Sequence, residues 1–513
     1  MEQQIRRVAV LGGGITGLSA AFYLLKLAKE RGEKLEVTVL EGSNRLGGRV
    51  NTLRRDGYVI ERGPDSFLAR KLPMIELAKE LEIDGELTGT NPLAKKTYIS
   101  LDGQLHPMPE GLTLGIPSDQ EKFMRTDLVS EEGKLRALED LEIPAGDVTA
   151  DETVGDFLER RMGKEMVERI FEPLLAGIHA GDLYRLGLEA TFPQFKTMVK
   201  EFGSLIAGTR EAQLAAAKAK AHSEAKQDAG GGVAAGVVKD AGSGEGSGAT
   251  SVASASLPAS VFMTFRNGLS TVIEALESRL QAEGCSIRLG AQVESLENVA
   301  VAGEGAYSQG RYQLRLSDGS TVEADDVLLT LPAYATAELL TPHVDVSALT
   351  NIRYISVANV VLAYDEVGFN QDLDGSGFLV PRGEHRHITA STWTSSKWLH
   401  TAPEGKRLIR CYVGRAGDEK GVELNDAVLA GVVQRDLQDL TGLTATPEFV
   451  EITRLRHSMP QYPVGHLDAI ATFRDSLVDQ LPGIHATGAA FGGVGLPDCI
   501  AQGKHAAQQI LDR

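Results

Sequence analysis

The sequence predicts a mixed α/β fold with α+β elements, on three observations. An apolar, Val-rich run at residues 7–11 (RVAVL) leads through a glycine turn into an amphipathic helix at residues 18–30 and a second strand at residues 36–40, a complete βαβ unit. Strand-like and helix-like segments then alternate along most of the chain. Finally, 513 residues with 42% apolar and 24% charged side chains match an ordinary soluble globular chain, long enough for two to four structural units.

The first unit is the most specific. Residues 7–11 are apolar without alternation, as in a strand buried on both faces. The turn that follows is Gly12-x-Gly14-x-x-Gly17, and its glycines permit a tight bend, close approach of a diphosphate, and close helix–strand packing. The helix start at Ile15 and Thr16 offers unpaired N–H donors and the positive dipole end to phosphate oxygens. Glu41 ends the second strand, where it can accept hydrogen bonds from ribose hydroxyls and repel a 2′-phosphate. These features predict a dinucleotide site that disfavours NADP. Directly after it, Gly42 and the run Arg45-Leu46-Gly47-Gly48-Arg49 supply a second glycine-rich backbone at the same crevice, with Gly48 close to the diphosphate and Arg45 and Arg49 adding charge-assisted contacts.

Further along, residues 71–81 have helical spacing. Residues 95–109 form a hairpin with its turn at LDGQ, and residues 120–205 carry several amphipathic helices. Residues 221–257 are Gly/Ala/Ser-rich and too poor in apolar side chains to offset ordering entropy, so a disordered surface insertion is expected. Order resumes with a turn and helix (FRNGLSTVIEALESRL), a strand pair at residues 285–297, and a hairpin plus strand at residues 312–332. Strands SVANVVLAY and RLIRCYVG and the helix NDAVLAGVVQRDLQDL fill residues 350–450. The chain closes on the strand IHATGAA, a loop Gly492-Gly493-Val494-Gly495-Leu496, and a helix whose start lies near Pro497.

Several functions are disfavoured. With 52 Lys+Arg against 70 Asp+Glu the net charge is −18, which opposes phosphate-driven nucleic-acid binding. No run of 18 apolar residues predicts a transmembrane helix, and the start MEQQIRRVAV lacks a secretory leader, so a cytoplasmic protein is expected. Cys285, Cys411 and Cys499 are too scattered for a disulfide framework or a CxxC metal site, and His385 and His387 have no partner pattern, so no metal is expected.

The paired motifs at residues 12–17 and 45–49, together with GAAFGGVGLPDC (488–499), FEPLLAGIHAGD (171–182), TFPQF (191–195), FRNGLSTVIEAL (265–276) and MPQYPVGH (459–466), resemble the superfamily of FAD-dependent amine oxidases and protoporphyrinogen and coproporphyrinogen oxidases over nearly the whole chain. The resemblance implies a Rossmann-like FAD-binding domain from residues 1–75, 258–330 and 450–513. It also implies an antiparallel-sheet substrate domain from 76–110 and 331–449, and a helical subdomain at 111–220 that could touch a membrane at the inner face. It implies that Gly63, Pro64, Asp65 and Ser66 run beside the flavin ring, that Val494, Gly495 and Leu496 form the C-terminal flavin loop, and that the Val293 backbone meets the adenine side.

The variant most resembled oxidises coproporphyrinogen III to coproporphyrin III in haem biosynthesis. That reaction makes three hydride transfers to flavin N5, uses oxygen as final acceptor and releases hydrogen peroxide, with other haem-pathway enzymes as candidate partners. No catalytic side chain is then required, which fits the lack of an acid–base dyad in the sequence. Lys71 and Lys96, near Arg70 and Lys95, are the expected partners of substrate propionates. Protoporphyrinogen IX oxidation stays open, as do amine oxidation and a non-catalytic flavin-binding role.

Overall fold

Short apolar strands and the helices that follow them build the first layer. In the computed structural model, which describes residues 5–146, 149–229, 260–299 and 312–513, five parallel strands lie in the order Ser286–Leu289, Leu35–Glu41, Arg6–Leu11, Asp326–Leu329, Ile484–Ala486. Val8, Ala9, Val10 and Leu11 are all buried, because both faces of the sheet are covered. On one face Val8, Val10 and Val39 pack against Leu18 and Phe22 of helix Ile15–Arg31, Leu276 of helix Ser270–Ala282, and Ile500 and Ala507 of helix Leu496–Leu511. On the other, Ala9, Leu11 and Leu329 pack against a three-stranded sheet (Val293–Asn298, Tyr312–Leu316, Thr321–Ala324) and helices Ala333–Leu340 and His466–Gln480. The first helix stops at Gly32, which takes the left-handed conformation at φ 70° that glycine tolerates best.

A second, seven-stranded sheet runs in the order Phe449–Gln461, Arg353–Asp365, Lys406–Val413, Ile388–Thr392, Gly375–Leu379, Lys96–Leu101, Gln104–Pro107. Alternation along Arg353–Asp365 sends Ala358, Val360, Leu362 and Tyr364 toward helix Asp426–Thr441, and Val361 and Ala363 toward Tyr58 and Ile60. The expected hairpin is present, with Asp102 and Gly103 both at positive φ (52° and 74°), as a tight two-residue turn requires. Most helices between residues 120 and 206 gather around Phe157, Phe171 and Phe195. Among them, Val167–Ala176 is wound as a π-helix around Pro173, which lacks an N–H to give to a regular helical ladder.

The structure differs from the expectations in several places. The seven-stranded sheet is not wholly antiparallel: Gly375–Leu379 runs parallel to Lys96–Leu101, which is possible because the whole helical region separates them in sequence. Phe449–Gln461 belongs to this sheet, although the expected boundary at residue 450 would put it with the parallel one. The anticipated strand pair at residues 285–297 divides, Ser286–Leu289 joining the parallel sheet and Val293–Asn298 the three-stranded one. Helix Leu205–Ala229 runs into the stretch expected to be an unstructured insertion, where its Ala-rich composition favours helix; residues 230–257 lie outside the described residues. Gly375–Leu379 and Ile388–Thr392 are strands where none was expected.

Candidate active site

The glycine turn is held from both sides. The Gly12 N–H donates to the Leu40 carbonyl at 2.8 Å, and the Thr330 hydroxyl donates to the Leu11 carbonyl at 2.8 Å. A Cβ on Gly12 would meet Thr330 Oγ1 at 2.8 Å, and one on Gly17 would lie 2.0 Å from the Gly12 carbonyl oxygen. Gly14 is different: a Cβ there meets nothing within 4 Å. Gly14 also caps helix Ile15–Arg31 in an extended conformation, with no side-chain cap and no acidic residue in the first turn. The helix N-terminus thus presents N–H groups and its positive dipole end to open space, the arrangement a diphosphate needs.

Glu41 sits at the rim of this space. Its carboxylate accepts the Gly13 N–H at 2.7 Å and the Ser43 N–H at 2.8 Å, so it also fastens the turn to the strand end. The segment before Val293 runs alongside: the Gly290 N–H donates to Ser43 O and the Ala291 N–H to Glu41 O, both at 2.8 Å, and Gln292 Cβ would lie 3.6 Å from a Cβ on Gly42. Val293 itself opens the strand that pairs with Leu316.

The second glycine loop lies on the first. The Gly47 N–H donates to Gly13 O at 2.8 Å, and Gly48, at φ 56°, would place a Cβ 3.3 Å from Gly14 Cα. Arg45 donates to the carbonyls of Leu46 at 3.1 Å and Gly48 at 2.6 Å, and so shapes the loop. Arg49 reaches the His457 carbonyl at 3.2 Å, on the outermost strand of the large sheet.

The turn at residues 63–66 is pressed against this loop, since a Cβ on Gly63 would come within 1.8 Å of the Arg49 carbonyl oxygen. The Ser66 hydroxyl donates to Asp65 at 2.7 Å. Burial pushes the Asp65 carboxyl up, but nearby Lys397 and Arg410 outweigh it and hold the group below its ordinary value. Burial dominates at Glu61, raising it to about 7 although the Leu269 N–H and the Thr52 hydroxyl favour its charged form. Arg62 pairs with Glu451 at 2.7 Å.

The C-terminal loop joins from the other side. Helix Leu496–Leu511 starts at Gly495 without a side-chain cap and carries Pro497 in its first turn. It lies close along the first helix because Gly503 has no Cβ, which would sit 2.5 Å from the Thr16 carbonyl oxygen. Val494, Gly495 and Leu496 therefore come to the same end of the parallel sheet as Gly12, Gly14, Ile15, Thr16 and Gly17. Gln502 braces the loop, accepting the Gly488 N–H at 3.3 Å and donating to Gly493 O at 3.2 Å. Lys71 pairs with Asp498 of the last helix at 2.5 Å, whereas Lys96 pairs with Asp374 at 2.5 Å on the large sheet, so the two lysines are tied to different elements. Thr330, Gln502, Asn359 and Arg410 carry no sequence signal, being isolated polar residues without a motif.

Open space at Gly14, the uncapped helix start, the Glu41 carboxylate and two glycine loops in contact fit a dinucleotide. The sequence profile of the flavin-containing amine oxidoreductases matches residues 15–511. The chain is 39% identical to the coproporphyrinogen III oxidase of Bacillus subtilis (strain 168), over 100% of this chain and 99% of that one. It is 37% identical to the coproporphyrinogen III oxidase of Staphylococcus aureus (strain NCTC 8325 / PS 47), over 99% of each. Among solved structures, a protein of Exiguobacterium sp. 255-15, assigned provisionally as a protoporphyrinogen oxidase, aligns with a TM-score of 0.81 at 34% identity over 99% of each chain.

Proposed function

Because the chain belongs to the family of flavin-containing amine oxidoreductases, an FAD-dependent oxidase, we propose that its substrate is coproporphyrinogen III, oxidised to coproporphyrin III. The observation that carries this reading is the full-length 39% identity to a coproporphyrinogen III oxidase. Protoporphyrinogen IX is the second reading, favoured by the likeness to the Exiguobacterium structure. On the proposed reading, six hydrogens leave the macrocycle in three two-electron rounds, and three molecules of oxygen become three of hydrogen peroxide. Bound FAD supplies the hydride acceptor.

In this reading the protein binds, orients and shields. The N–H groups at Gly14, Ile15 and Thr16 hold the diphosphate, with Gly48 closing over it. Glu41 and Gly42 take the ribose, with the Val293 backbone on the adenine side. Residues 63–66 and 494–496 flank the ring. Arg45 acts through the loop it shapes, and Arg49 through its hold on the large sheet. No side chain is assigned as a proton-transfer catalyst. The parallel sheet serves the cofactor and the seven-stranded sheet the substrate. No helix among the described residues is long and apolar enough to cross a membrane. Ile178 and Phe202 on helices and Tyr184 on a turn of the same region are exposed, and the proposal places a peripheral membrane contact there.

Side-by-side turnover of the two porphyrinogens tests the substrate. The proposal expects a higher kcat/KM for coproporphyrinogen III, and a clear preference for protoporphyrinogen IX would replace it with the second reading. Lys71 gives a sharper check. Lys71→Ala should raise KM about ten-fold or more for the four-propionate substrate relative to the two-propionate one, because a charge-assisted contact contributes about 1.5–3 kcal/mol. Asp498→Asn, which breaks the same ion pair but keeps the lysine, should leave that discrimination in place. Equal effects of Lys71→Ala on both substrates would remove Lys71 from the binding site. Lys96→Ala is expected to act in the same direction.

A further inference from the structure

Asn359 and Arg410 stand in largely apolar strand segments, ISVANVVLAY and RLIRCYVG, and both are buried, at 2% and 3% exposure. Burying an amide and a guanidinium in a sheet is costly unless their hydrogen bonds are made. Apolar residues would serve packing alone at least as well. The two strands pair so that Asn359 faces Tyr412 and Val361 faces Arg410, which makes Asn359 and Arg410 diagonal neighbours on one face. Both reach for successive carbonyls of a single turn: Asn359 Nδ2 donates to Arg62 O at 2.9 Å, and an Arg410 guanidinium N–H donates to Gly63 O. The opposite side of that turn is blocked, because Gly63 touches the Arg49 backbone with no room for a side chain.

Arg410 keeps two further donors without partners, Nε and Nη1, with Asp65 Oδ2 4.0 Å from Nη1. Arg410 also lines a cavity of about 20 Å³ together with Glu61, Asp65, Trp398 and His400, and the Trp398 indole N–H is unpartnered as well. That volume has room for one water molecule, which such a polar wall would order.

We propose that Asn359 and Arg410 are positioning residues that clamp the flavin-side turn to the seven-stranded sheet, with one ordered water completing the Arg410 donors and the guanidinium charge held behind the ring. This rests on the reading that residues 63–66 flank the flavin. A fixed cation near the ring stabilises its reduced, more negative form, so loss of the cation should lower the midpoint potential. Loss of either grip should also weaken FAD binding, since the turn must then be ordered by the cofactor itself.

The experiment measures FAD affinity and midpoint potential in the full chain. Arg410→Met should bind FAD about ten-fold more weakly and shift the reduction equilibrium about ten-fold toward oxidised flavin, or about 30 mV for a two-electron couple. Arg410→Lys restores the charge and should recover the potential while leaving affinity reduced. Asn359→Leu, similar in size and without charge, should weaken binding several-fold with little change in potential. A merely structural role would lower stability in all three without separating affinity from potential, and that result would overturn the proposal. So would wild-type affinity and potential in Arg410→Met. If Arg410→Met fails to fold, Arg410→Lys and Asn359→Leu decide by the same split. If the wild-type chain takes up no FAD, the cofactor reading itself has failed, an outcome distinct from a wild-type holoprotein whose variants are unchanged.

Discussion

Gly14→Ala should fold like the parent chain and lose at least about a hundred-fold in FAD affinity, or about 2.7 kcal/mol. The new methyl group meets no protein atom within 4 Å, and Gly14 sits at φ −75°, where alanine is unstrained. Replacing glycine by alanine at a helix N-cap costs about 0.5–1 kcal/mol, too little to unfold a domain-sized chain. The penalty therefore falls on whatever occupies the open space, which on this account is the diphosphate drawn against the helix N-terminus. Gly17→Ala should behave in the opposite way. Its Cβ would sit 2.0 Å from the Gly12 carbonyl oxygen, so the turn and helix must separate, and the chain should melt several degrees lower or accumulate unfolded, flavin present or not. Thermal melting with and without added FAD, alongside fluorescence titration of the cofactor, distinguishes the pair. Parental affinity in Gly14→Ala would move the diphosphate elsewhere.

Acid should destabilise the protein steeply between pH 6.5 and 4. His179 and His466 are buried, at 5% and 2% exposure, and burial lowers both from an ordinary 6.5 to about 4. The unfolded chain then binds more protons than the native one throughout that window, so stability falls as pH falls, by up to about 3 kcal/mol for each histidine. His400, also lowered to about 4 by burial and by Arg266, acts in the same direction. Glu61 opposes them: its folded value near 7 lies above the unfolded one, so its share of stability is present in acid and lost as pH rises through 7. Asp140 and Glu172, also raised by burial, act with Glu61, and the three histidines are expected to outweigh these carboxyls below pH 6.5.

The acid effect should reach the cofactor. His466 stacks on Tyr462 at 4.4 Å between ring centres, His179 meets the same ring edge-on at 5.8 Å, and the Tyr462 hydroxyl donates to the Ala489 carbonyl of the C-terminal loop. Charging either imidazole disturbs the packing that holds that loop, so flavin release should accompany the loss of stability. Melting temperatures from pH 4 to 8 for the parent and for His466→Phe test this, with the variant expected to show a shallower acid limb. An unchanged limb would place the titrating groups elsewhere.

The local parts of the site were legible in the sequence because they depend on short-range stereochemistry. A Val-rich run, three spaced glycines and a terminal carboxylate suffice to predict a βαβ turn, and an Asp-Gly pair between alternating residues suffices for the hairpin at Lys96–Leu101 and Gln104–Pro107. What escaped depends on distant partners. Gly375–Leu379 contains two glycines and looks like a loop, yet a Cβ on Gly377 would strike the Ser391 carbonyl oxygen at 2.0 Å, so glycine is what lets the strands approach. Thr330, Gln502, Asn359 and Arg410 are single polar residues whose partners are contributed by other parts of the chain or across a loop. Lys71 and Lys96 were legible as cations, but their acidic partners Asp498 and Asp374 were not, because neither spacing nor composition pairs residues so far apart.

Amide hydrogen exchange of the full chain with and without FAD tests most directly whether separated segments meet on one cofactor. Slower exchange should appear together at residues 12–17, 41–49, 63–66 and 488–496 when a single equivalent of FAD is bound, with the large sheet little changed away from residues 359 and 410. Protection confined to one of these stretches, or no uptake of FAD at all, would contradict the shared cradle and with it the oxidation of a porphyrinogen by this chain.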